Sequence, residues 1–359
     1  MLETTNHLLE TLHAIASNIV IEKNFRILHP SYQPFALPAD VAARFEQNSP
    51  ELQHKYRLLL LRNFIYGIYF NASLHISTVP SLGVAGMYAL HQNLENNSIL
   101  GIDEGFYTQL HASNHGTGYF DPGWEVLRCE PDGSLAISRG GLTMYAEPDS
   151  HLDPDAPIPQ RGDLIAIAMP KNRLENGFYI AVSNFGQEQQ SDIVGLGRIY
   201  FNMMSDGAIA LMDSITYELN NICVPFSFQV LCHRGAFGRY DSGILNFEQK
   251  DYLTIRKALQ KIYSQNQSYF YSQIPLFTKF LAPGLSLAEE PNQKIIAKES
   301  FGMNRCQIVA NALLETWGKG RDSPEARMQA IHQNFAQLGI DLHRPYLNPN
   351  SEDIYIPLN

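Results

Sequence analysis

The spacing of apolar residues changes twice along this chain, and the changes limit the folds that it can adopt. Up to about residue 100 the apolar residues recur at helical spacing, as Leu8, Leu12 and Ile15 do. From Gly101 to about Phe247 short β-like runs alternate with turn signals, and after Phe247 the spacing is helical again. We therefore predict an α+β protein, with a helical N-terminal part followed by a mostly antiparallel sheet that has helices packed on one side.

The change near Gly101 also divides the chain into two predicted domains. Residues 1–100 are expected to form a helical N-terminal domain and residues 101–359 an α+β domain. In the first of them, Ser49 and Pro50 supply an N-cap and a first-turn proline, so a helix should begin there.

Composition excludes several classes of function. The net charge of -10 disfavours a general surface for nucleic acid or for an anionic membrane. The most apolar run, Leu58–Phe70, is broken by Arg62 and is too short to cross a bilayer, so we predict a buried helix. The four cysteines form no CxxC pair and have no zinc-ligand spacing. We expect no metal, no cofactor and, because unpaired thiols are typical of reducing compartments, a cytoplasmic location.

Two cations follow a strand-like run in the segment "GDLIAIAMPKNRLENGFYIAVSN". Lys171 and Arg173 are two residues apart, so in an extended chain their side chains would lie on the same face. A pair of cations at the end of a strand suits a phosphate or a carboxylate. The alternative is a solvated basic loop after Pro170, because lysine and arginine are usually exposed.

Further arginines lie where an anion would stabilise them. Arg198 begins a strand-like run, Arg234 and Arg239 flank an aromatic turn, and Arg305 lies near the start of an apolar helix. A cation near a helix N-terminus is unfavourable for the helix dipole, so an anionic partner would compensate it. For each of them the alternative is a salt bridge to one of the 36 acidic residues.

A second group of polar residues lies in "LHASNHGTGYFDPGW", residues 110–124. It contains His111, His115, Tyr119 and Asp121 between glycines, which permit close backbone approach. Histidine and tyrosine in such a loop could supply a general acid. The alternative is a structural turn with hydrogen-bonded side chains. The chain has neither a GxSxG elbow nor a phosphate-binding GxxxxGK[ST] loop.

Several blocks occur in the same order as in a known family. These are "YTQLHASNHGTGYFDPGWEV", "RIYFNMMSDGAIALMDSITYELN" and "SFGMNRCQIVANALLETW", together with the two segments quoted above. Over about residues 100–359 the chain resembles the HopA-type type III effector family. That family includes bacterial effectors that act inside plant cells and stand-alone homologues that resemble the lyases of class V lanthipeptide pathways.

The resemblance implies a phosphoserine or phosphothreonine lyase. A partner kinase would phosphorylate a precursor peptide, and the lyase would eliminate phosphate to leave a dehydroamino acid. Lys171 would be the base and His115, or secondly His111, the acid, with Tyr119 and Asp121 as further catalytic candidates. Five arginines would bind the phosphate: Arg173, Arg198, Arg234, Arg239 and Arg305.

The sequence also departs from the lyase pattern. It lacks the Lys-x-His pair of phosphothreonine lyases, and it has Gln229 where related sequences are expected to carry lysine. A second function therefore stays open. The chain could be a non-catalytic module that keeps the fold and binds a phosphorylated peptide or another protein, as an effector that holds a host immune regulator would.

Overall fold

The structure is a computed structural model that describes residues 2–76, 101–186, 195–295 and 299–358. Its helices are α1 (Leu2–Asn18), α2 (Ala39–Glu46), α3 (Pro50–Ile65), α4 (Ser73–Ile76), α5 (Glu104–Ser113), α6 (Pro148–His151), α7 (Ser205–Asn221), α8 (Tyr252–Asn266), α9 (Phe301–Gly318) and α10 (Pro324–Gln337). A π-helical turn, Tyr66–Phe70, continues α3.

The strands are β1 (Val20–Ile21), β2 (Arg26–His29), β3 (Tyr32–Ala36), β4 (Tyr119–Cys129), β5 (Leu135–Arg139), β6 (Leu142–Ala146), β7 (Leu164–Met169), β8 (Asn172–Glu175), β9 (Phe178–Val182), β10 (Leu196–Phe201), β11 (Phe226–Leu231), β12 (Gly243–Glu248), β13 (Lys279–Ala282) and β14 (Leu285–Glu289). They form a seven-stranded main sheet in the order β13-β14-β10-β12-β11-β9-β8, a small sheet β6-β5-β4-β7 and an N-terminal sheet β1-β2-β3. Their ladders are antiparallel. The predicted α+β class is confirmed.

Local sequence signals account for several element boundaries. Ser49 caps α3, because its side chain accepts a hydrogen bond from the Leu52 N–H and Pro50 occupies the first turn. Asn176 and Gly177 both have positive φ, of 49° and 79°, and they join β8 to β9 in a tight hairpin.

One hydrophobic core joins the N-terminal helices to the main sheet. Leu12 of α1, Phe64 of α3 and Leu245 of β12 are all buried in the same cluster. The boundary predicted near Gly101 follows residues 77–100, which lie outside the described residues, and it stays a prediction. A smaller separate core lies behind the small sheet, around Trp124 and other residues of β4, β5, β6 and β7.

The sequence predicted helices on one side of the main sheet, and the structure has helical segments against both of its faces. The ladder register aligns Tyr200 with Ile180 across the sheet, so the side chains of these two residues lie on the same face. The side chain of the neighbouring Tyr179 therefore lies on the opposite face. The ring of Phe70, in the π-helical turn, lies 5.7 Å from the Tyr200 ring. On the other face His111 of α5 lies 6.1 Å from the Tyr179 ring. Helical segments therefore cover both faces.

The structure contains strands that the sequence pattern did not predict. The N-terminal part holds the sheet β1-β2-β3, and the C-terminal part adds β13 and β14 to the main sheet. The run Leu58–Phe70 is helical and largely buried, as expected. Among the described residues, every helix is too short or too polar to cross a bilayer.

Candidate functional site

The two polar segments singled out by the sequence lie against each other between the small sheet and the main sheet. We call this region the junction and define it as residues 111–114, 116–119 and 169–173, without His115. The side-chain amide of Asn114 donates to the Lys171 carbonyl at 3.2 Å. In return, Lys171 Nζ donates to the Asn114 carbonyl at 2.8 Å. These reciprocal bonds fix the glycine loop against the segment that leads into β8.

Glycine is required where the two segments approach most closely. Gly118 has a φ of +96°, and a Cβ there would lie 2.5 Å from the Met169 carbonyl oxygen. A Cβ on Gly116 would lie 3.1 Å from the Lys171 Cβ. The first position excludes a side chain both by conformation and by space. The glycines predicted to allow close approach therefore do so.

Lys171 acts as a cap for the end of helix α5. Its Nζ donates to the carbonyls of His111, at 3.1 Å, and Asn114, at 2.8 Å. The last carbonyls of a helix have no partner within the helix, and a positive charge at this end is favourable. Two of the three Nζ donors are thereby engaged, so Lys171 is held in place.

His111 lies between two tyrosines on the same side of the junction. Its Nδ1 is 3.2 Å from the Tyr179 hydroxyl, and its ring stacks against Tyr107 with centroids 5.9 Å apart. Burial, followed by the charge of Lys171, lowers the pKa of His111. Burial raises the pKa of Tyr179 to about 12. At neutral pH the pair is a neutral imidazole beside a protonated phenol.

Arg173 points to the other side of β8. It lies opposite Ile180 in the ladder, on the face that Tyr179 does not share. Lys171 Nζ bonds to the carbonyl of Asn114, whose amide in turn donates to the Tyr179 hydroxyl. The Lys171 ammonium is therefore bound on the Tyr179 side, away from the Arg173 guanidinium. The Arg173 side chain is 48% exposed, and its Nε lies 3.9 Å from a carboxylate oxygen of the neighbouring Glu175.

Tyr119 lies in the junction, at the start of β4, and Asp121 lies two residues further along that strand. Asp121 accepts two hydrogen bonds from Arg139, at 2.9 and 2.5 Å, and a third from the Trp124 indole at 3.2 Å. This carboxylate is thus committed to a structural pair. Burial, then the charge of Asp121, raises the pKa of Tyr119, while the charges of Arg173 and Arg139 oppose the shift. Tyr119 therefore keeps its proton, and Arg173 is close enough to influence it.

His115 lies on the surface beside α7 and does not join these groups. Its Nε2 is 2.7 Å from Asp213 Oδ1, and both side chains are about half exposed. Its backbone N–H donates to the Thr216 hydroxyl at 3.0 Å. The histidine is therefore paired to α7 rather than to Lys171 or Arg173.

Arg198 and Arg305 belong to a second region, which we call the arginine cluster: Arg198, Glu290, Glu299 and Arg305. Arg198 Nε is 2.7 Å from Glu290. Arg305 is 1% exposed and donates to the carbonyls of Pro345 and Leu347, at 2.8 and 3.0 Å. Burial lowers the pKa of Arg305 to about 10, against the effect of nearby carboxylates. Arg305 thus fastens α9 to the chain that follows α10.

Arg239 and Arg234 are each paired with an aspartate. Arg239 is buried and donates twice to Asp241, at 2.8 Å each. Arg234 is more exposed and lies 2.5 Å from Asp206. For these two arginines the structure therefore has the salt bridge that the sequence analysis gave as the alternative to an anion site.

Two of the arginines expected to bind one phosphate, Arg173 and Arg198, lie far apart. Arg173 is on β8 and Arg198 on β10, four strand spacings apart in the sheet order. At roughly 4.8 Å per spacing the two backbones are about 19 Å apart. One phosphate cannot bridge that distance, so Arg173 and Arg198 do not belong to one phosphate-binding site.

Buried polar groups lie beside Arg198, and none of them is among the residues predicted from sequence. Asn246 lies directly opposite Arg198, and Ser286 lies on the same face of the main sheet. The Asn246 carbonyl oxygen and the Ser286 hydroxyl are buried and have no hydrogen-bond partner among the described residues. Unsatisfied buried polar groups are uncommon. In the sequence, a polar residue inside an apolar run, such as the asparagine of "GILNF", was the feature that could have indicated these buried polar groups.

The structure also bears on cofactors and metals. Within the described ranges, no three His, Cys, Asp or Glu side chains are grouped so that they could hold a metal ion. A cavity of about 230 Å³ lies beside Arg305 and Lys294, with the amides of Asn304 and Asn348 in its wall.

The fold and the junction define the class: an α+β protein whose antiparallel main sheet carries cations at one edge. Residues 169–347 match the model of the HopA1 effector protein family, and through this region the chain belongs to that family. The match includes Lys171 and the five arginines considered above, whereas His111, His115, Tyr119 and Asp121 precede it.

Two solved structures resemble this chain. One is the effector protein from Pseudomonas syringae pv. tomato strain DC3000, at 15% identity and a TM-score of 0.41, covering 77% of this chain and 94% of that one. The other is the effector protein from Pseudomonas syringae pv. syringae strain 61, at 14% identity and a TM-score of 0.42, covering 83% and 98%. No curated protein matches the chain.

Proposed function

We propose that this protein is a lyase that removes phosphate from phosphoserine or phosphothreonine in a peptide and leaves a dehydroamino acid. The observation that carries the proposal is the junction, where a neutral imidazole, a protonated phenol and two cations lie near one edge strand. The family match, which begins at residue 169, supports it because it includes both cations.

The reaction needs a base, a proton donor and positive charge near the phosphate. The base takes the Cα proton, and the electron pair of that C–H bond forms the Cα=Cβ double bond. The Cβ–O bond breaks as that double bond forms, its electron pair stays on the oxygen, and phosphate leaves with a proton from the donor. No metal or organic cofactor is needed for this balance, and stabilisation of the leaving phosphate is expected to be the largest contribution.

Arg173 and Tyr119 are the proposed partners of the leaving phosphate. A guanidinium binds two phosphate oxygens at once, and the Arg173 side chain is half exposed. The raised pKa of Tyr119 keeps its hydroxyl protonated at neutral pH, so it can donate to the bridging oxygen.

His111 is the proposed base, and Lys171 is the alternative. The lowered pKa of His111 leaves its imidazole neutral and able to accept a proton near pH 7. Lys171 would first have to release the carbonyls of His111 and Asn114. In this assignment Lys171 supplies a fixed positive charge instead.

The second candidate function is a non-catalytic module that binds a phosphorylated peptide. Two observations favour it: Lys171 is engaged as a helix cap, and Arg173 points to the opposite side of β8. A binder needs only the exposed cation. Either function requires a kinase that phosphorylates the peptide, and both are compatible with a cytoplasmic protein.

The test is mass spectrometry of a phosphothreonine peptide incubated with the protein. Elimination removes the mass of H3PO4 and adds no water. We expect His111→Gln to slow the reaction by roughly 100-fold or more and Tyr119→Phe to slow it by roughly tenfold. His115→Gln is the matched control and should keep its rate, because His115 is paired to Asp213 outside the junction.

Three results would redirect the assignment. Loss of activity in His115→Gln with full activity in His111→Gln would reject the junction as the catalytic site. Loss in Lys171→Arg with an active His111→Gln would move the base to Lys171. A peptide that binds but keeps its phosphate would favour the binding module.

A further inference from the structure

We propose that the outer edge of β8 binds the phosphorylated peptide as an added β-strand. The inference rests on the proposed function, because it describes how the substrate of that site is held. Within the residues described, β8 is the last strand on its side of the main sheet and pairs only with β9. An edge strand presents unpaired backbone groups that an extended peptide can bind.

The ladder shows which backbone groups face outward. The Val182 N–H donates to the Lys171 carbonyl at 3.0 Å, so the backbone carbonyl of Lys171 points towards β9. Hydrogen-bonded and non-hydrogen-bonded pairs alternate in an antiparallel ladder. Arg173 and Glu175 therefore also bond to β9, whereas the N–H and C=O groups of Asn172 and Leu174 point away from the sheet.

The opposite edge of the main sheet is already covered. The Leu358 N–H donates to the carbonyl of Leu281 in β13 at 2.8 Å. Lys279, also in β13, binds Asp353 at 2.6 Å. The C-terminal segment thus occupies that edge. The β8 edge has no such cover among the described residues, and residues 173–176 are exposed.

The side chains of β8 indicate what kind of peptide fits. Arg173 is 48% exposed on one side of the strand, and Leu174 is 47% exposed on the other. Side chains of an added strand alternate in the same way. A peptide with a phosphorylated residue at one position and an apolar residue at the next would meet Arg173 and Leu174 in turn.

Proline at position 174 tests the outward N–H directly. Leu174→Pro removes that donor and leaves the bonds from Arg173 and Glu175 to β9 in place, and proline is tolerated on edge strands. Leu174→Ala keeps the donor and is the matched control. With a ten-residue peptide that has one central phosphothreonine between valines, we expect about tenfold weaker binding for Leu174→Pro and less than about twofold for Leu174→Ala.

Backbone methylation of the peptide tests the same idea with the unaltered protein. Peptides that carry one N-methyl group at successive positions on one side of the phosphothreonine are compared by titration. Strand addition predicts alternation: every second methyl group weakens binding several-fold and those between have little effect. Uniform sensitivity, or none, would overturn the inference even if Leu174→Pro failed to fold.

The outcomes separate this inference from the proposed lyase. Alternating sensitivity in a peptide that keeps its phosphate would support strand addition and reject the lyase. Elimination without alternation, and with an unaffected Leu174→Pro variant, would reject strand addition and keep the lyase. A protein dimer that Leu174→Pro dissociates would show that a second copy of the chain occupies the edge, and would overturn the inference.

Discussion

The junction and the arginine cluster both contain cations, but these cations differ in burial. Arg305 is almost fully buried and its donors are used by carbonyl groups of the chain. Arg173 is half exposed and its carboxylate contact is 3.9 Å long. A buried cation is too costly to leave unpaired, so the fold supplies its partners. An exposed cation keeps much of its hydration and has no such cost.

The largest expected effect comes from the buried side of this comparison. Arg305→Ala removes the bonds to Pro345 and Leu347 and the positive charge beside the buried carboxylates of Glu289 and Glu299. We expect a loss of about 3–5 kcal/mol in the free energy of unfolding, measured by urea denaturation. Arg234→Ala, at an exposed pair, should cost no more than about 1 kcal/mol. Equal costs would show that burial does not distinguish these arginines.

The next effect tests the close approach inside the junction. Gly118→Ala would bring a methyl group to 2.5 Å from the Met169 carbonyl oxygen at a φ of +96°. We expect roughly 2–4 kcal/mol of destabilisation in thermal or urea unfolding. Gly140→Ala is the control: its φ is also positive, but no atom lies within 4 Å of the added methyl group. It should cost only about 1 kcal/mol, and a similar cost for Gly118→Ala would mean that the loop can move away.

A smaller effect concerns pH. The pKa of His111 in the folded state is lowered by burial and by Lys171, so between that pKa and about 6.5 the unfolded chain binds more protons. The contribution of this group to the free energy of unfolding is therefore fully present above about pH 6.5, and it declines as the pH falls below that value. His111→Gln should flatten the decline in urea unfolding between about pH 7 and pH 5. Burial also lowers the pKa of His29, which offers a comparison outside the junction. A decline unchanged by His111→Gln would contradict the lowered pKa.

The smallest effect is expected at the surface pair of His115 and Asp213. Both side chains are about half exposed, so the pair should contribute less than about 1 kcal/mol. Asp213→Asn should leave the unfolding free energy within about 0.5 kcal/mol of the original and leave elimination unchanged. A clear drop in elimination rate would show that this pair, and not the junction, supplies the acid.

Local signals explain which parts of the fold were predictable. The cap at Ser49 and the apolar spacing of Leu8, Leu12 and Ile15 act over one or two turns, so the sequence contains the whole cause. The strands β13 and β14 were missed because their runs are short and their pairing partner, β10, is distant in sequence. The dipeptide Asn176-Gly177 is typical of tight hairpins, so the turn between β8 and β9 was predictable from sequence.

The candidate site was predictable as a list of residues and less so as an arrangement. The sequence singled out both segments of the junction, and the structure places them in contact through Asn114 and Lys171. The sequence did not determine in which direction these side chains point. Lys171 lies just before β8 begins, and its bonds to the end of α5 take its Nζ away from the face of Arg173.

By itself the sequence determined the α+β class, the start of α3 at Ser49 and Pro50, and the resemblance that the match to the HopA1 effector protein family confirmed. These properties depend on residue spacing and on ordered local motifs. Only the tertiary structure decided which cations are buried, which carboxylates and carbonyls pair with them, and that Arg173 and Arg198 stand about 19 Å apart. The reason is physical: the role of a charged side chain depends on its desolvation and its neighbours, and strand order across the sheet sets both.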